Sequence, residues 1–157
     1  MSKMQSLIEA YLTGPKQLRQ AVAGMTREQA LARPIAGKWS TLEVVAHLAD
    51  FDPILADRMK RVIAEENPSL VGADQDKFAK ALHYLERDLN EELTIIEATR
   101  GQLARILRKL PDSALTRVGQ HNERGPLTLE QLLTGTTKHL THHLKFIVEK
   151  RQALGLK

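Results

Sequence analysis

Residues 128–154 read TLEQLLTGTTKHLTHHLKFIVEKRQAL, and their spacing decides the fold class. Thr128-Leu-Glu-Gln131 fits a capping box, in which the Thr hydroxyl and the Gln side chain satisfy each other's backbone amides at a helix start. From there Leu129, Leu132, Leu133, Thr136, Leu140 and Ile147 recur with a helical period and define an inward stripe. The helix is expected to run to about Leu154, with Gly155 placed to stop it. His143 falls within the stripe and His139 on its flank, an i,i+4 pair one turn apart, whereas His142 points toward solvent.

The same pattern recurs upstream. ARPIAGKWSTLEVVAHLADFD, residues 32–52, passes from a Pro/Gly connector into a second capping box, Ser40-Thr-Leu-Glu43. The helix that follows is expected to reach about Glu66 and to stop at Asn67-Pro68. Val44, Leu48, Phe51, Leu55 and Val62 form its inward stripe, with His47 on the flank. A first helix is expected over Ser2–Ala23, with Leu7, Ile8, Tyr11, Leu18 and Val22 inward and Gly14-Pro15 kinking or dividing it. A short helical turn follows Thr26. A long third helix is expected from about Asp74 to Leu110, ended by Pro111, and PDSALTRVGQHNERGP connects it to the last. Nothing reads as a sustained period-two strand. The chain is therefore expected to be all-α, one four-helix bundle spanning residues 1–157, and its long connectors permit a topology other than up-down-up-down.

Composition bounds the function. At 157 residues the chain suits one domain with a real core. No apolar run reaches the roughly 20 residues of a membrane span, and the first residues lack the features of a signal peptide. There is no Cys, which removes thiolate ligands, disulfides and a cysteine nucleophile, and fits a cytoplasmic protein. The net charge of +4 and pI near 9.5 hint at nucleic acid. Yet the 23 basic residues are mixed with 19 acidic ones without a block of like charge, and no aromatic residue is interleaved with a basic run. Nucleic acid is not an expected partner.

The six histidines separate by position. His139 and His143 converge from one helix, and an inward His47 on a facing helix supplies a third imidazole. Three imidazoles packed into a core without partners are costly, and a shared divalent ion resolves that cost. Such a site suits zinc, nickel, cobalt or iron(II) and leaves a position open for water or substrate. Asp50, one turn beyond His47, is placed to orient a ligand ring or act as a general base, although an ordinary surface Asp is the competing reading. Glu43 is explained by its cap and Trp39 by a hydrophobic staple. His83, mid-way along the third helix, reads as structural. His121 reads as a surface-loop residue that could border a pocket mouth.

Three stretches carry a family resemblance. ARPIAGKWSTLEVVAHLADFD is similar to a Trp-Ser-x-x-Glu-x-x-x-His-Leu segment, GQHNERGPLTLEQLL to a His-x-x-x-Gly-x-x-Thr lead-in, and HLTHHLKFI to an H-x-x-x-H ligand pair. Together they resemble the DinB/YfiT-like metal-binding bundles, over most of the chain. The resemblance implies a four-helix bundle of unusual topology, and a divalent metal site on His47, His139 and His143. Zinc or nickel is the usual metal it implies, with iron, cobalt and manganese as alternatives, and homodimers are frequent. It also implies a small-molecule substrate and either a hydrolase or a low-molecular-weight-thiol S-transferase. A non-catalytic stress-response or ligand-binding module with a structural or vacant metal site is the alternative. Lys145 and Phe146 stand where many relatives have Gly-Gln, so a pocket built for one particular thiol does not follow.

Overall fold

The computed structural model describes residues 1–157. Its helices are α1 (Lys3–Val22), α2 (Arg27–Leu31), α3 (Thr41–Ala64), α4 (Gln75–Ala81), α5 (Leu89–Leu107) and α6 (Leu129–Ala153). Three short strands, β1 (Ser69–Leu70), β2 (Val118–His121) and β3 (Gly125–Thr128), lie in the connectors. No helix is long and apolar enough to cross a membrane.

The capping boxes start helices where the sequence places them: Ser40 accepts from the Glu43 amide, Thr128 from Gln131 and Thr26 from Gln29, each with the reciprocal side-chain bond. A fourth, Ser2 with Gln5, opens α1. Four long helices form the bundle. α1 packs on α5 and α6, and α3 packs on the same two helices. α1 therefore faces α3 across a diagonal, and α5 faces α6. Both diagonal crossings fall to the long connectors, through α2 in one case and the strands in the other. This is how the chain departs from up-down-up-down order, in which sequence neighbours are also spatial neighbours.

The core is built in two apolar blocks. Met4, Ile8, Met59, Leu103 and Leu133 belong to one; Leu18, Val44, Leu48, Ile96 and Leu140 belong to the other. Between them lies a polar layer of one residue from each of two helices, Asp52 and Arg100, both fully buried. The Arg100 guanidinium donates to both Asp52 oxygens, to the Tyr11 carbonyl at 2.9 Å and to the Thr136 carbonyl at 3.2 Å. One side chain thus joins α5 to α3, α1 and α6. Gly14-Pro15 explains how it fits. Pro15 has no amide to offer the carbonyl four residues back, which leaves Tyr11 free to accept from Arg100. A Cβ on Gly14 would sit 3.0 Å from Arg100 Nη1. α1 runs unbroken through this pair, so Gly14-Pro15 makes a docking place for Arg100 and does not divide the helix.

Three expectations need correction. The third helix is not continuous from Asp74 to Leu110. It breaks into α4 and α5 around His83, which has a left-handed backbone (φ 52°), and a one-turn 3-10 segment at Tyr84–Glu86. Tyr84 is thereby buried against Trp39 at 6.4 Å between ring centroids, and Asp88 caps α5 by accepting from the Glu91 amide. The connectors also contain a small sheet: β1 runs parallel to β2, and β2 antiparallel to β3 with His121 opposite Gly125. These strands of two to four residues are too short to show a period. The inward stripe of α3 is also rotated from the expected one. Asp52, Ala56 and Met59 are buried while Phe51 and Leu55 are half-buried.

Candidate metal centre

Ser40 fixes the start of α3 two turns before His47, and Thr128 fixes the start of α6 about three turns before His139. Since α3 packs on α6, these offsets bring the three rings together. One nitrogen from each of His47, His139 and His143 can be chosen so that all lie within 4.8 Å of one another. The Nε2 atoms of His47 and His139 are 3.0 Å apart, and ring centroids are separated by 4.6–5.0 Å. His47 is only 1% exposed; His139 and His143 are half-buried.

The rings have few protein partners. The Nδ1 atoms of all three are buried without a hydrogen bond. Burial holds each ring below its ordinary pKa, His47 at about 3 and His143 at about 4, and the neighbouring imidazoles push these two further down. For His139 burial also dominates, opposed by the Asp52 carboxylate. All three are therefore neutral near pH 7, the form in which imidazole offers a lone pair to a metal. The donor set is all nitrogen, with no carboxylate in the cluster, and this chemistry fits a borderline transition ion far better than magnesium or calcium.

A pH dependence follows. An unfolded histidine titrates near 6.5, so between that value and about 4 the unfolded chain binds more protons than the folded one. Stability of the chelator-treated protein is expected to fall as pH drops through 6.5 toward 5, by up to about 2 kcal/mol for each of His47 and His143, with His139 acting in the same direction. His121, also lowered by burial, adds to the same window. Urea denaturation at pH 7 and pH 5 checks this, and His143→Gln should shallow the slope.

Aromatic rings wall the cluster. Phe51 lies 4.5 Å from the His47 ring centroid and Trp39 lies 5.4 Å from it. Trp39 is thus part of the site, beyond the staple role its place before the cap suggests. His139, His143, Trp39, Phe146, Lys38 and Lys150 line a cleft of about 670 Å³ that opens from the histidines to solvent. His142 sits at its exposed rim.

Other residues fall elsewhere. Asp50 accepts from Arg87 at 3.0 and 3.2 Å and hydrogen-bonds to none of the three rings. The same Arg87 Nη1 also donates to buried Glu92 at 3.0 Å. Glu43 serves the Ser40 cap and also accepts from Nε and Nη2 of Arg33, each at 2.9 Å. His83 is exposed at the break before α5. His121 is buried, not a surface-loop residue: it lies in β2, where its Nδ1 accepts from the Glu123 and Arg124 amides. That role explains the His-x-x-x-Gly spacing as a turn device, with Gly125 at φ 74° closing the turn.

A DinB superfamily model matches residues 10–147. The chain is 29% identical over 133 residues to an Oceanobacillus iheyensis protein provisionally named a metal-dependent hydrolase, covering 85% of this chain and 77% of that one. It is 29% identical over 142 residues to Bacillus subtilis YfiT, which carries the same provisional name, covering 90% and 80% of the two chains. The solved structure of YfiT superposes with a TM-score of 0.91 at 28% identity over 100% of this chain and 91% of YfiT. That protein is described as a probable metal-dependent hydrolase with an unusual four-helix bundle topology.

Proposed function

Because the chain belongs to the DinB superfamily, we propose that it is a metal-dependent hydrolase of small molecules whose divalent ion is held by His47, His139 and His143. The observation that carries this reading is the convergence of three neutral imidazoles, His47 buried and His139 and His143 half-buried, the last two lining a solvent-connected cleft. The metal-dependent hydrolase names of the relatives support it. None of the relatives described above carries a thiol-transferase name, so hydrolysis is preferred to thiol transfer. An all-nitrogen donor set suits zinc or nickel.

A divalent ion in such a site supplies Lewis acidity, bringing the pKa of a water molecule toward neutrality. The chain's own residues prepare for that. Burial keeps the imidazoles unprotonated, and the aromatic walls of Trp39, Phe51 and Phe146 restrict water to the cleft side. Asp50 enters as a brace and not a base, since Arg87 occupies both its oxygens and ties α3 to the segment before α5.

A screen of nitrophenyl esters, amides and small lactones with zinc- or nickel-loaded protein tests the proposal. Hydrolysis is expected to cease with chelator and return with the ion. Turnover that is indifferent to chelator would refute it.

A further inference from the structure

Lys150 is a buried cation that neither the fold nor the proposed hydrolysis uses. It is 3% exposed and lines the three-histidine cleft. Its Nζ donates to a single acceptor, the Phe146 carbonyl, at a long 3.4 Å, and lies 5.8 Å above the Phe146 ring. It takes part in no salt bridge. Placement in the last turn of α6 accounts for a cation there but not for its burial. Arg151 already serves that helix end and binds the carbonyls of Ala21 and Ala23.

A buried ammonium with hydrogen-bonding capacity to spare is costly unless something supplies the missing acceptor. Burial holds its pKa below the ordinary lysine value; of the charges that bear on it, Glu149 and Glu43 oppose that shift and the like charge of Lys38 adds to it. Lys38 lines the same cleft and is exposed. The acidic residues along the cleft, Asp76 and Glu149, are exposed and solvated. Glu43 is engaged by Arg33. One buried and one exposed cation, set against solvated acids, match a single negative charge better than a doubly charged phosphate.

We infer that Lys150, assisted by Lys38, holds a carboxylate of the substrate beside the three-histidine centre, so that the substrates are small esters or amides that also carry one free acid group. This rests on the hydrolase reading above and adds the substrate's charge to it. Lys150 anchors the acid and Trp39 and Phe146 flank the apolar part, leaving the scissile group toward His139 and His143.

The test uses Trp39, the chain's only tryptophan, whose fluorescence reports occupancy of the cleft. Hexanoate and hexanol are titrated into zinc-loaded and chelator-treated protein. Hexanoate is expected to bind on the order of tenfold more tightly than hexanol in both forms. Lys150→Met with Lys38→Met should erase that preference while hexanol affinity persists, and Lys150→Arg should retain it. Equal affinity of the two ligands for the unsubstituted protein overturns the inference even if no Lys150 variant folds, as does a preference that survives in the double variant. Failure to take up zinc would instead count against the histidine centre, and the chelated comparison would still decide the role of Lys150.

Discussion

Arg100→Met is expected to destabilise the protein by about 3–5 kcal/mol, a fall in melting temperature of roughly 10 °C or more. The reason is what the substitution leaves behind. Asp52 would stay fully buried with its carboxylate stripped of both guanidinium bonds. The Tyr11 carbonyl, which Pro15 cannot serve, would lose its donor as well. An uncompensated buried charge costs more than an ion pair gains, so Asp52→Leu combined with Arg100→Met should be less damaging than Arg100→Met alone. Thermal and urea denaturation of the three proteins check the order. A single variant as stable as the parent would show that the polar layer does not join the four helices.

The second large effect concerns the metal centre. Zinc at 100 times its dissociation constant is expected to stabilise the protein by about 2.7 kcal/mol against unfolding. His139→Ala should abolish that increment while leaving the helical signal unchanged. Loss of even an outer hydrogen bond to a ligand ring lowers metal affinity 10–100-fold, so removing the ring itself should lower affinity by at least about 100-fold, with hydrolysis falling in parallel. The same variant in chelator should lose less stability than an ordinary core truncation, because it removes a half-buried ring whose Nδ1 has no hydrogen-bond partner. Calorimetric melts with and without zinc separate the two effects. Equal zinc stabilisation of both proteins would argue that His139 is not a ligand.

Much of the fold was written in local signals. The Ser40 and Thr128 capping boxes fixed the helices that carry the histidines, and the i,i+4 spacing of His139 and His143 placed them on one side of α6. What stayed hidden was tertiary. The stretch 74–110 has a helical pattern throughout, yet as one helix it would span roughly 55 Å at 1.5 Å per residue, far longer than its neighbours. The break is made by burying Tyr84 and pairing Arg87 with Asp50, contacts between elements that no period reveals. A local sign was nonetheless present, since Asp88-x-x-Glu91 is a helix start.

Arg100 and Asp52 were missed for a related reason. Arg100 falls in step with Leu93, Ile96, Leu103 and Leu107, all buried, and a cation at an inward position announces a buried partner. On α3 the apolar period runs through Phe51, which is half-buried, and gives no sign that Asp52 beside it is buried. The burial of Lys150 leaves no local signal, because burial of a single charge depends on the wall opposite. Lys38 and Trp39, in the connector before α3, line the same cleft as Lys150.

Three histidines from two helices should hold one ion, and metal content decides whether they do. Purified protein, reconstituted with zinc and dialysed, should carry about one ion per chain by elemental analysis, and His47→Ala, His139→Ala and His143→Ala should each carry almost none. Unsubstituted protein without bound metal, or histidine variants that retain a full ion, would show that these three side chains do not form a metal centre.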